Sequence, residues 1–101
     1  MDISNREDVK AATDAVRKTL GDVDLYGQLA EECAELAQAA SKMQRILRGV
    51  NPTTTTEMEC VKNLEEEFTD ILVVTDVLGL RRNDKIYEMK MLRWNKRLAN
   101  R

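Results

Sequence analysis

Apolar residues recur along this chain at steps of three and four, the spacing that gathers side chains on one face of an α-helix. Leu29, Cys33, Leu36, Ala40, Met43 and Leu47 form the longest such seam. It predicts a helix from about residues 22–24 to residue 48, closed by Gly49. A thinner stripe, Val9, Ala12, Val16 and Leu20, predicts a helix before it, with Ser4 and Glu7 as a capping box and Gly21 as its end. Val61, Leu64, Phe68, Ile71, Leu72 and Thr75 predict a third helix over about residues 57–80, opened by a Thr56–Glu59 capping box. Tyr87, Met91, Trp94 and Leu98 predict a last helix over about residues 84–99, with that stripe buried and Asn83 as N-cap. The clear loop is residues 49–56, where Pro52 cannot continue a helix.

From Asp70 onward the third helix changes character. Val73, Val74 and Val77 lie opposite its main apolar face, so this half is apolar nearly all round. A helix apolar on all sides is buried on all sides, and a subunit this small does not enclose one of its own helices. The expectation is an all-α, four-helix subunit with two long central helices, assembled as a homodimer or homotetramer along the Val73–Val77 side.

Composition narrows the picture. The 101 residues suit a single domain, and only four glycines and one proline favour long helices over many short strands. A net charge of −2 supplies no field that draws the chain to a nucleic-acid polymer or a membrane surface. No apolar run reaches membrane-spanning length, and Met1-Asp2-Ile3-Ser4 does not begin a signal peptide. Cys33 and Cys60 fall among apolar helical neighbours and are expected to be buried free thiols, which fits a reducing cytoplasm. There is no histidine, so any chemistry rests on carboxylates, lysine, tyrosine or bound water.

Two acidic groups stand out: Glu31-Glu32-Cys33-Ala34-Glu35 and Glu66-Glu67-Phe68-Thr69-Asp70. Glu32 and Glu35 share one helix face, as do Glu67 and Asp70. Glu32 falls about 60° off the Leu29–Leu47 seam, at its rim. If the two helices pack side by side, four carboxylates meet across them. They then either take up protons or share a hard divalent cation such as Mg²⁺, which favours carboxylate oxygens. Asp70 is the sharpest signal, because aspartate is a poor mid-helix residue and this one precedes Ile71-Leu72-Val73-Val74. The competing explanation for Asp70 is a buried Arg or Lys partner from the last helix.

These residues resemble the EExxE…ExxD signature of the MazG-like, all-α nucleoside triphosphate pyrophosphohydrolases, over about residues 25–98. The gap from Glu35 to Glu67 is long for that signature, and the threonine-rich loop absorbs the excess. The resemblance implies Mg²⁺-dependent cleavage of a (deoxy)nucleoside triphosphate to the monophosphate and pyrophosphate, with Mn²⁺ as a substitute ion. It implies Glu32, Glu35, Glu67 and Asp70 as metal ligands, with Glu32 and Glu35 as the catalytic candidates for orienting water. Glu31 becomes an outer carboxylate. It also directs attention to Leu25, Tyr26 and Gln28 for base recognition.

Such a reaction needs phosphate charge neutralised and a water positioned, and no covalent nucleophile. The chain has no GxxxxGK[ST] loop, so basic side chains must help hold the triphosphate. Lys90, Arg93 and Arg97 form a basic stripe on the last helix that suits this role, or equally complements the helix dipole. The alternatives are a phosphoribosyl-ATP pyrophosphohydrolase, or a helical interaction module whose acidic groups pair with a partner's cations.

Overall fold

A computed structural model describes residues 2–49 and 55–101 of the chain. Among these residues the structure is all-α. A 3₁₀ turn, Ile3–Asn5, precedes three α-helices: α1 (Glu7–Arg48), α2 (Glu57–Leu78) and α3 (Asp84–Ala99). Most of the loop expected around Pro52 lies outside the described residues.

The helix ends follow local chemistry. Thr56 accepts a hydrogen bond from the Glu59 amide at 3.1 Å, and Asn83 accepts one from the Ile86 amide at 3.0 Å. Gly49 and Gly79 close α1 and α2 in the left-handed conformation, and α2 therefore stops at Leu78 rather than near residue 80. The Ser4–Glu7 capping box does not form. Asp2 takes the Ser4 amide instead and caps the 3₁₀ turn, leaving Arg6 to start α1.

Gly21 ends the first helical limb of α1, as its place after Leu20 leads one to expect. Its φ of 74° and ψ of 171° lie outside helical space, so residues 7–20 and 22–48 are two limbs joined at a kink. Only glycine adopts that backbone without strain. Arg17 on the first limb donates to the Val77 carbonyl at 2.9 Å and lies 3.9 Å from Asp22, fastening the limb to the end of α2. A Cβ added at Gly21 meets nothing within 4 Å, so the cost of a side chain there is purely conformational. Gly21→Ala is expected to destabilise the fold by about 1–3 kcal/mol, read as a lower midpoint in thermal unfolding.

The second limb of α1 and α2 run antiparallel. Their core is Leu25, Val74, Val77 and Leu78, with Leu29 packed against it, and Ala39 and Cys60 buried farther along. This corrects the reading of α2. Val74 and Val77, expected at a subunit interface, are in the subunit's own core, whereas Phe68 and Leu72 are about half exposed. The inward face of α1 is likewise rotated by roughly 50° from the Leu29–Leu47 seam. It carries Leu25, Leu29, Glu32, Leu36 and Ala39, leaving Cys33 exposed; both cysteines are free.

The expected bundle is not complete within one chain. α3 approaches neither α1 nor α2, and its stripe of Tyr87, Met91, Trp94 and Leu98 is exposed rather than buried.

Candidate metal centre

Antiparallel packing of α1 on α2 places Leu25 near Val77 and carries Glu32 and Glu35 to the height of Glu67 and Asp70. The rotation of α1 swings Glu32 inward, to a half-buried position, and Glu67 is half-buried opposite. One carboxylate oxygen from each of Glu32, Glu35 and Glu67 lies within 4.8 Å of the other two, a grouping able to surround one metal ion. Glu35 is the exposed member of the three.

Two oxygens there are conspicuous. Glu32 Oε2 and Glu67 Oε2 are closed off from solvent and have no hydrogen-bond partner. Buried carboxylate oxygens in that condition are costly. The other oxygen of Glu32 accepts from the Gln28 amide at 2.7 Å, one helical turn earlier. Gln28 therefore aims Glu32 rather than leaving it free to swing. Leu25 is 2% exposed and belongs to the core, while Tyr26 faces solvent.

Asp70 is exposed and stands at the edge of the cluster, where its charge acts on Glu32. No cation among the described residues pairs with it. Among the described residues the ion pairs are Arg6–Asp8, Arg17–Asp22, Arg81–Asp76 and Arg82–Asp84, none of which reaches these four carboxylates. Glu31 is exposed and outside the converging three, and its charge adds to those acting on Glu35.

The crowding moves the proton equilibria. Hydrogen bonding with the Glu67 carboxylate and then its charge push the Glu35 carboxyl above its ordinary range. At Glu32 the Gln28 hydrogen bond pulls down, but desolvation and the charges of Glu35 and Asp70 together outweigh it, and the carboxyl is raised. A carboxyl raised by folding stabilises the protein below its unfolded value, near 4.5, and that contribution is lost as pH climbs through the folded value. With metal withheld by chelator, the thermal midpoint is expected to be higher at about pH 5 than at about pH 8. A dication held by these carboxylates, tested with saturating Mg²⁺, would shrink that difference, because it would bind the ionised form. Calorimetry at the two pH values with and without Mg²⁺ reads both effects.

Lys90, Arg93 and Arg97 do share one edge of α3, where with Trp94 they line a shallow pocket. Because α3 stands away from α1 and α2, one chain does not bring them to the carboxylates. A second apolar face of α3, Ile86, Met89 and Leu92, escaped the sequence reading. Its signal was present in the three-residue spacing. No family model, curated protein or solved structure matches this chain.

Proposed function

We propose that this chain is a MazG-like nucleoside triphosphate pyrophosphohydrolase that uses a divalent cation held between α1 and α2. The observation that carries the reading is the pair of orphaned, solvent-excluded oxygens, Glu32 Oε2 and Glu67 Oε2, converging with Glu35. Oxygen-only donors of this kind fit Mg²⁺, with Mn²⁺ as a substitute. Glu32, Glu35 and Glu67 would hold the ion, with Asp70 as the further ligand at the rim. When bound, the ion neutralises charge on the phosphates of the substrate.

The chain's own groups divide the remaining work. Gln28 fixes the orientation of Glu32. Its second N–H and its carbonyl oxygen are left for substrate. Glu35 is open to solvent, which makes it the better placed of the glutamates to take a proton from an attacking water. The water attacks at phosphorus, and the anhydride bond between the α- and β-phosphates breaks, leaving monophosphate and pyrophosphate. Lys90, Arg93 and Arg97 offer five-donor and ammonium groups suited to the departing pyrophosphate. Since they stand apart from the carboxylates of their own chain, a neighbouring copy's α3 would have to present them. The working particle is then a cytoplasmic homodimer or homotetramer.

Two measurements test this reading. A panel of NTPs and dNTPs with Mg²⁺ is expected to yield pyrophosphate from at least one nucleotide, and no release from any of them sinks the proposal. Mg²⁺ is also expected to raise the thermal midpoint. An ion present at about a hundred times its Kd adds roughly 2.7 kcal/mol to the folded state. A helical module that uses its carboxylates for partner salt bridges would respond only as it does to added NaCl.

A further inference from the structure

A dication cancels only part of the charge of Glu32, Glu35, Glu67 and Asp70. A phosphate chain arriving there is itself an anion, so its far end needs a cation beyond the metal. Cations are unevenly spread over the two packed limbs. Residues 22–41 of α1 include no Lys or Arg, and α2 carries one, Lys62. Lys42, Arg45 and Arg48 follow at the end of α1. Lys62 is exposed and sits about 200° round α2 from the buried Cys60, so it faces outward. At the opposite end of the pair, the Val77 carbonyl and Asp22 engage Arg17, and Asp76 and the Leu80 carbonyl engage Arg81.

Lys42 is the cation that shares the rim of the carboxylate cluster. It stands seven residues after Glu35, as Glu35 stands seven after Gln28. Each such step falls about 20° short of two full turns, so Gln28, Glu35 and Lys42 form one line along α1. The rise from Glu35 to Lys42 is about 10.5 Å. Helical side chains lean toward the N-terminus, which shortens the gap the ammonium must span. Lys42 is half-buried, yet among the described residues no group forms an ion pair or hydrogen bond with its ammonium. Its stem is partly covered and its charge is uncommitted. With Gln38, Ser41 and Arg45 it lines a shallow cavity of about 460 Å³, space enough for the end of a phosphate chain.

We propose that Lys42 binds the terminal phosphate of the substrate, so that the nucleotide lies along the α1 rim with its phosphate tail toward Lys42 and Arg45 and its nucleoside toward Gln28. This rests on the hydrolase reading and gives the substrate a direction. The amide of Gln28 suits the neutral donors and acceptors of a sugar or base, whereas an ammonium suits phosphate. Lys42 comes from the same chain as the carboxylates, and the α3 stripe of a neighbouring copy adds to it.

Lys42→Met is the test, because methionine keeps an unbranched apolar stem and removes the ammonium. Titration calorimetry on the full chain in Mg²⁺ measures binding of pyrophosphate and, separately, of a nucleoside monophosphate. The variant is expected to bind pyrophosphate about tenfold or more weakly, the effect of losing one charged hydrogen bond. Its affinity for the monophosphate and its Mg²⁺-dependent rise in thermal midpoint are expected to match wild type. Lys42→Arg is expected to restore most of the pyrophosphate affinity. In turnover, Lys42→Met is expected to raise KM for the triphosphate more than it lowers kcat. Wild-type pyrophosphate affinity in Lys42→Met overturns this placement and leaves the hydrolase reading standing. A loss confined to the monophosphate reverses the direction and overturns it too. Equal loss for both products, or loss of the Mg²⁺ response, makes Lys42 a structural residue and overturns it likewise. A wild type that releases pyrophosphate from no nucleotide overturns the hydrolase reading itself, and this placement with it.

Discussion

Glu35→Gln is expected to make the metal-free protein more stable and to remove its pyrophosphate release. The two effects have one cause. Glu35 shares its surroundings with Glu67 and Glu32 at separations no greater than 4.8 Å, and its carboxyl is raised by that company. Glutamine keeps the shape and hydrogen-bonding reach of glutamate but carries no charge, so the repulsion goes and an amide donor becomes available to the Glu67 carboxylate. The thermal midpoint in chelator therefore rises. The same change removes a charged oxygen donor and the group proposed to take the proton from water. Turnover is expected to fall by about a hundredfold or more, and the Mg²⁺-dependent rise in midpoint is expected to shrink with it. A functional site held against its own stability behaves this way. If Glu35→Gln lowers the metal-free midpoint, the cluster is a structural network. If turnover survives near the wild-type level, the proton acceptor is another group. Glu31→Gln is the comparison on the same helix: Glu31 acts on Glu35 by charge alone, so the metal-free midpoint is expected to rise by less than in Glu35→Gln, with turnover retained.

How much of this was legible in the sequence depends on what kind of information each feature needs. The ends of the helices were legible at Thr56, Asn83 and Gly49, because capping is a contest among a few neighbouring residues, whereas Gly79 was passed over and α2 was carried on to about residue 80. Ser4 misled because Asp2, two residues earlier, competes for the same amide. Which side of a helix faces inward was less legible. On α1 the seam through Cys33 and Ala40 and the actual face through Leu25, Glu32 and Ala39 differ by half a residue step, and both are apolar enough to serve. The choice falls to the partner helix, whose narrow side at Val74 and Leu78 accepts Leu25. The acidic group was legible for a related reason. Spacing put Glu32, Glu35, Glu67 and Asp70 on two helix faces, but only the packed pair shows that three converge and that Asp70 stays at the rim. The stripe on α3 was read as core because an apolar face implies a cover. Sequence periodicity marks an apolar face without showing that the same chain covers it.

Val74→Asp is expected to abolish the fold, and the manner of its failure separates the two roles this residue has been given. From the sequence, Val74 lies on a side of α2 that meets another subunit. In the structure it is 8% exposed and packs in the cluster of Leu25, Val77 and Leu78 within its own chain. Truncation there to alanine leaves a small cavity costing about 2 kcal/mol. Aspartate does more, since an unpaired carboxylate taken out of water costs several kcal/mol even after the surroundings relax. Small domains have only about 5–15 kcal/mol of stability in total, and this chain draws on a core of few residues. Far-UV circular dichroism at about 5 and 200 µM, with sedimentation at both concentrations, tells the outcomes apart. An interface role predicts helical monomers. A core role predicts lost helix at both concentrations, with partial recovery below about pH 5, where the buried acid is neutral and the penalty falls. Because Leu25 lies two turns before Glu32 on α1, and Val74 one turn after Asp70 on α2, the same packing that Val74→Asp destroys is what holds the four carboxylates at one height. Any loss of Mg²⁺ response in this variant therefore follows from the helices parting, whereas in Glu35→Gln it must arise with the helices in place.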